Sequence, residues 1–524
     1  MTGRTRLLPI SHRALALAVA LFLTLLLTLL VPAAVPASPE GQLTWAVHVS
    51  LAPTWFDPAE TTGIITPFLF LYALHDALVK PMPGNPMAPS LAESWTVSPD
   101  GLSYDFVLRR GVTFHNGDPL TAEDVKFSIE RYRGAASGAF KTRIAGVDVI
   151  DSHRVRYRFK QPWPDFMTYF GTMATGAGWI VPKRYVERVG DDGFKKAPIG
   201  AGPYRFVSFS PGVELVLEAY EQYWRKTPSV KRLVFRAIPD ESTRLAMLKR
   251  GEADIAYSIR GALAEELRRT GGLTLKPSYP PGTFWLVFPE QWTDARSPWS
   301  DKRVRLAVNY AIDRAAINQA ETLGLSKITG SMIPQTFESY WQPPRPVYDL
   351  VKARQLLADA GYPNGFDAGD YYCDASYANL GEAVVNYLRA AGIRAQLRPL
   401  ERAAFIAQNS QKKLKNIIQT ASGALGNTST RLDAFVALGG TFTYGTYPDI
   451  EGLIREQASE MDPKKRETIL LRIQELIHEK AMVAPIWELA FINGHGPRVA
   501  ESGLTLITSH AYSGPYEDVK VKAR

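Results

Sequence analysis

The sequence predicts an α/β protein of more than one lobe, on three observations. Strand-like and helical patterns alternate along the chain with no repeat period. The helices open and close on clear capping residues, so they are short packed elements. At roughly 100–200 residues per domain, 524 residues make two to four domains. No segment is low-complexity and no flexible linker stands out, so the lobes are expected to be joined by several chain crossings.

The elements follow in order. Arg4, Arg6 and Arg13 precede an apolar stretch from Ala14 to Val31, broken only by Thr24 and Thr28, and then PAAVPASPE. That is the pattern of a secretory signal peptide over residues 1–37, with cleavage near Ala37. An uncleaved anchor is the alternative, because the run approaches spanning length. No cysteine follows the run, which excludes a lipid anchor. In Ser103 to Arg109, Tyr104, Phe106 and Leu108 share one face, as a half-buried strand requires. Asn116-Gly117 punctuates a turn from Phe114 to Pro119. Thr121 heads a helix in a Thr-Ala-Glu-Asp capping box. Arg154, Arg156 and Arg158 alternate with apolar residues, as on the solvated face of a strand. Asp240 caps a helix that Gly251 ends, burying Leu245 and Leu248. Asp349 starts another, stopped by Gly361 and Pro363. Asp462, with Pro463 at the first helical position, opens a long amphipathic helix through about Lys480.

Charge and composition narrow the function. Sixty Lys and Arg against 52 Asp and Glu give a net +8, of which three charges lie in the first 37 residues. The remaining bases are interleaved with acids, without the stripe a nucleic-acid binder carries. A single cysteine, Cys373, excludes a disulfide framework and cysteine-ligated metal. The stretch from Gly171, GTMATGA, lacks the lysine of a phosphate-binding loop, and Gly200-Ala201-Gly202, followed by Pro203, reads as a turn. No Gly-x-Ser-x-Gly elbow occurs. The histidines at 48, 75, 115, 153, 478, 495 and 510 have no metal-like spacing, and Glu475-x-x-His478 is half a site. Tyr257, Tyr279, Phe284, Trp285 and Phe288 gather around Pro280-Pro281-Gly282, either as core or as the lining of a cleft.

Residues 91–131, LAESWTVSPDGLSYDFVLRRGVTFHNGDPLTAEDVKFSIER, resemble the signature of the family 5 solute-binding proteins of bacterial ABC importers. Further family-like segments follow in order: Gly200 to Tyr204, Tyr223-Trp224, Leu248-x-x-Gly251-Glu252-x-Asp254, residues 301–314 and residues 356–363. The resemblance implies a bilobed periplasmic-binding-protein fold of type II with an extra domain. Mixed sheets are flanked by helices, and a ligand cleft lies between the lobes. It places the first lobe at 40–72, 182–283 and 495–524, the extra domain at 73–181, and the second ligand-binding lobe at 284–494.

The function so implied is capture of a peptide or peptide-like solute in the periplasm and its delivery to an ABC permease with a cytoplasmic ATPase. The protein would act as a monomer, without cofactor, metal or catalysis. A nickel- or haem-chelate receptor, an oligosaccharide receptor and an exported hydrolase are the alternatives. Carried over residue by residue, the site would include Thr62 and Gly63 in a loop closing on the ligand, Tyr257, Trp285, and the segment Gly423, Ala424, Leu425 and Asn427. That segment falls where peptide binders have Gly-Trp-x-x-Asp, whose aspartate holds the peptide ammonium. Here Ala424 stands for the tryptophan and Asn427 for the aspartate, with Asp433 as a substitute acid if the loop shifts. An amide does not neutralise an ammonium, so the ligand is expected to be blocked, neutral or differently anchored.

Overall fold

The computed structural model describes residues 38–49, 51–61, 67–134, 136–172, 175–423, 426–507 and 514–522. The expected signal peptide therefore lies outside the described residues, as do Thr62, Gly63, Ala424 and Leu425. From Pro39 onward the chain forms one unit.

Three sheets organise it. The largest has seven strands in the order Tyr204–Ser210, Glu214–Ala219, Val230–Ala237, Glu40–Val47, Ile255–Ala256, Phe491–His495 and Thr274–Ser278. Its three central strands, starting at Val230, Glu40 and Ile255, run parallel. Trp45, buried in this sheet, stacks on Phe235 at 5.6 Å. A six-stranded sheet follows the order Lys327–Ile328, Val483–Glu488, Thr283–Val287, Ile417–Ser422, Phe366–Asp374 and Ile393–Leu400. Its last three strands are parallel too. The inner strand Ile417–Ser422 is buried along most of its length, whereas the edge strand Ile393–Leu400 exposes Arg394, Gln396 and Arg398. The third sheet, four antiparallel strands within 92–159, alternates as expected: Phe106 and Leu108 face inward, while Arg156 and Arg158 pair outward with Asp105 and Asp148.

The chain passes between the two larger sheets twice, through residues 279–282 and 489–490. The two passages are tied by a hydrogen bond from Leu489 N–H to the Gly282 carbonyl, 2.8 Å.

The capping signals are realised. Asp124 accepts from Thr121 N–H at 2.9 Å, Asp240 from Thr243 N–H at 2.7 Å, and Asp349 from Lys352 N–H at 2.8 Å. Gly251 and Gly361 follow their helices with φ of +71° and +95°, where a Cβ is disfavoured.

The family-like landmarks form the frame. Arg131, at the end of the 91–131 stretch, grips buried Asp57 with two bonds of 2.7 Å. Tyr223 and Trp224 both donate to Asp76, which also pairs with buried Lys80 at 2.9 Å. Gly200 lies against the chain at Leu74: a Cβ there would stand 1.9 Å from the Leu74 carbonyl oxygen. Gly200→Ala is expected to cost about 1–3 kcal/mol by overpacking. Urea unfolding measures it, and an unchanged midpoint would show that the 74–75 turn yields freely.

Candidate ligand-binding crevice

All six parallel strands deliver their carboxyl ends to one crevice. From the seven-stranded sheet come His48, after Val47; Arg244, in the helix Glu241–Lys249 that follows the Val230–Ala237 strand; and Tyr257 to Arg260, after Ile255–Ala256. From the six-stranded sheet come Asp374 to Tyr377, Arg402 and Gly423. The two sets meet directly. The Arg260 guanidinium donates to the Ser376 carbonyl at 2.8 Å and lies 5.4 Å from the Tyr377 ring centre. Ligands of open α/β sheets bind at the carboxyl ends of the strands, so the crevice is the candidate site.

Its floor is basic and buried. Burial pushes the His48 imidazole well below its ordinary pKa, and Arg244, Arg402 and Arg260 push it further. The ring is therefore neutral at pH 7. Arg244 is 2% exposed and donates to the carbonyls of Ile238, Pro239 and Ser258 at 2.8, 2.7 and 2.6 Å. Burial draws its pKa down to about 10. Arg402 pairs with Asp374, and Arg260 approaches Glu241 at 3.5 Å.

The residues expected from sequence fall in three places. Tyr257 follows the strand Ile255–Ala256 and Gly423 follows Ile417–Ser422, at the carboxyl ends of the two sheets. The buried Tyr257 ring lies 5.1 Å from His48 and stacks on Phe491 at 5.6 Å. Trp285 is fully buried in the core beneath the six-stranded sheet, against Phe435 at 5.0 Å. Of the other aromatics, Phe284 and Phe288 are buried and Tyr279 is exposed. Asn427 caps the helix Thr428–Phe435: its side-chain oxygen accepts from Thr430 N–H at 2.9 Å. Its amide nitrogen donates to Asp165 at 2.7 Å and to Glu338 at 3.2 Å.

Asn427 thereby enters a second polar cluster. Asp165, from the segment after the four-stranded sheet, is 2% exposed and pairs with Arg466 of the helix Pro463–Glu479. Tyr169 donates to Asp433 at 2.7 Å. Both contacts tie 165–170 to 427–466. Sequence reasoning missed His48, Arg244, Arg260 and Arg402 as a group, because they are distant in the chain and none sits in a motif.

Burial, with a contribution from Asp165, raises the Asp433 carboxyl from 3.8 to about 6. The folded value lies above the unfolded one, so the native state holds the extra proton between them. Stability then falls as pH rises from about 4 through 6. Asp433→Asn keeps the acceptor for Tyr169 and is expected to stabilise by about 3 kcal/mol at pH 7.5 and by nothing below pH 4. Urea unfolding across pH 4–8 tests this; a constant difference would remove the titration of Asp433 as its cause.

Metal and thiol chemistry find little here. Among the described residues no group of three or more His, Cys, Asp and Glu side chains is placed to hold a metal ion. Cys373 is buried, and burial pushes its thiol up to about 12, which leaves it a poor nucleophile. Among the described residues no helix is long and apolar enough to cross a membrane.

Comparison with known proteins agrees with this architecture. The sequence pattern of the bacterial extracellular solute-binding proteins, family 5, middle region, matches residues 86–442. The glutathione-binding protein GsiB of Escherichia coli is 26% identical over 453 residues, covering 82% of this chain and 86% of GsiB. Among solved structures, the periplasmic binding protein DppA of Helicobacter pylori, in complex with the peptide STSA, superposes with a TM-score of 0.82 at 24% identity. That match covers 92% of this chain and 98% of DppA. MoaA of A. tumefaciens, in complex with mannopinic acid, gives 0.80 at 23% identity, covering 92% of this chain and all of MoaA. At these identities the two structures speak for the fold.

Proposed function

This chain belongs to family 5 of the bacterial extracellular solute-binding proteins, and from that premise we propose that it captures a peptide or peptide-like solute in the crevice and hands it to an ABC permease. The observation that carries the reading is the facing of two sheets, carboxyl ends inward, across two chain passages among the described residues. Such passages let the lobes rotate about 279–282 and 489–490 and close over a solute. Closure follows only if the solute binds the closed form better than the open one.

The lobes of this proposal are 40–72, 182–283 and 495–524 for the first, with its last segment drawn back to Phe491, because the whole strand Phe491–His495 pairs in the seven-stranded sheet. The extra domain is 73–181, and the second lobe comprises the residues between 284 and the passage at 489–490. In this reading Tyr257 and Gly423 line the crevice, and Thr62, Gly63, Ala424 and Leu425, which lie outside the described residues, are further contacts of the solute. Trp285 and Asn427 serve it from behind, Asn427 by fixing Asp165 and the start of a helix. Export by the 1–37 segment to the periplasm, and action as a monomer without catalysis, complete the reading.

Mass spectrometry of the solute released on denaturing the purified protein, followed by calorimetry with Met-Leu, glutathione and mannopinic acid, tests it. One-to-one binding without turnover is the expected result. Chemical consumption of a bound solute would overturn the receptor reading.

A further inference from the structure

A cavity of about 340 Å³ lies beside the six-stranded sheet, away from the crevice. Leu306 and Tyr310 of the helix Lys302–Ala311 line it, with Ile477 and His478 of the helix Pro463–Glu479 and Val483 of the strand Val483–Glu488. Val483 pairs with Val287, which pairs with Ile418 near the start of its strand. The crevice gathers at the other end of these strands, where Ser422 pairs with Thr283.

A strap of chain, 341–347, completes the wall. It is tied at both ends to the two helices: Trp341 N–H donates to Gln474 Oε1 at 3.1 Å, and Asp349 N–H to the Tyr310 carbonyl at 2.9 Å. Between these ties Pro343, Pro344 and Pro346 have no N–H to bond with.

The polar side chains of the wall are already spent. Asn309 donates to the Arg305 and Val483 carbonyls at 3.1 and 3.4 Å and accepts from Arg314 at 3.2 Å. Gln474 donates to the Ser339 and Leu470 carbonyls at 2.7 and 2.9 Å, and Ser331 Oγ accepts from Ile333 N–H at 2.9 Å. No lining residue keeps a buried side-chain nitrogen or oxygen without a partner, whereas both ring nitrogens of His48 in the crevice do. A polar or charged group brought into the cavity would lose its water and gain nothing in return. The His478 ring lies 5.4 Å from Trp341, and burial lowers its pKa, so it is neutral at pH 7. Arg345 of the strap is exposed, and water meets its charge.

Size sets the rest. An apolar cavity of roughly 150 Å³ takes one benzene ring, so about twice that volume takes two fused rings. We propose that this cavity binds a neutral, apolar molecule of naphthalene size, held between the Trp341 strap and the two helices. The site does not depend on the crevice being a solute site.

Full-chain protein labelled with 5-fluorotryptophan tests it. Naphthalene is titrated in while the Trp341 fluorine resonance, identified by its loss in Trp341→Phe, is followed by nuclear magnetic resonance. Expected is a saturable one-to-one shift, at least tenfold weaker with naphthalene-1,5-disulfonate at constant ionic strength. Leu306→Trp fills the cavity and is expected to weaken naphthalene at least tenfold, with the fold checked by circular dichroism. Val347→Trp, at a lining position 59% exposed, fills it from the strap and serves where Leu306→Trp does not fold. Val351→Ser, on the outer surface and 81% exposed, is expected to change the affinity less than twofold. No saturable shift, an equal disulfonate response, or binding untouched by a folded filling variant overturns the site. Loss of binding in Val351→Ser would put the probe on the outer surface, and displacement by Met-Leu or glutathione would put it in the crevice; either result also overturns it.

Discussion

Arg466→Met is expected to destabilise the protein by about 3–5 kcal/mol, a large fraction of the stability of an ordinary domain. Arg466 is 13% exposed and pairs with Asp165, which is 2% exposed. It also donates to the side chain of Gln457 at 3.0 and 3.2 Å. Removing the guanidinium leaves the Asp165 carboxylate buried with the Asn427 amide as its remaining hydrogen-bond donor among the described residues. The cost is that stranded charge, not the worth of the pair itself. The double variant Asp165→Leu with Arg466→Met is therefore expected to recover most of the loss. Urea unfolding of the three proteins reads the coupling. Equal losses in the single and double variants would mean that packing of the long side chain, and not the buried charge, sets the effect.

This pair also bears on motion. Asp165 and Tyr169 reach from the segment after the four-stranded sheet to Arg466 and Asp433 in the helices beyond the six-stranded sheet. Contacts of this kind stabilise one relative placement of the two parts, so the Arg466 variant is expected to show a larger radius of gyration by small-angle scattering.

What the sequence made legible divides by range. Helix starts were readable because a cap is a local event: Asp240, Asp349 and Asp462 each bond to amides two or three residues ahead. The strand Ser103–Leu108 was readable from its own alternation. The family-like landmarks were visible for a related reason, since Tyr223-Trp224 and Arg131 hold buried carboxylates whose loss would unsettle the frame.

The crevice was not legible. His48 and Arg402 are separated by the greater part of the chain, and each follows a strand with no motif to mark it. Only the register of two sheets brings them together. Asn427 poses the opposite problem: expected from its position as a ligand contact, it spends its side-chain oxygen on Thr430 and its nitrogen on Asp165 and Glu338. Capping and recognition use the same few side chains, so sequence position alone does not separate them.

Asn427→Asp separates them in the protein. Aspartate keeps the oxygen that accepts from Thr430 N–H, so the cap survives. The amide that donates to Asp165 at 2.7 Å becomes an oxygen facing an oxygen, with Glu338 near the same point and Arg466 the paired cation. Two carboxylates at that distance do not both ionise without penalty. The variant is expected to lose about 3 kcal/mol at pH 8. The native variant takes up a proton that the unfolded chain does not, so its stability relative to the parent rises as pH falls toward 5. Asn427→Ala is the comparison. It loses the cap and the bond to Asp165 but places no charge there, so its deficit should vary little over the same range. If unfolding of the two variants runs parallel from pH 5 to 8, the electrostatic account of this position is wrong, and Asn427 is a cap and nothing more.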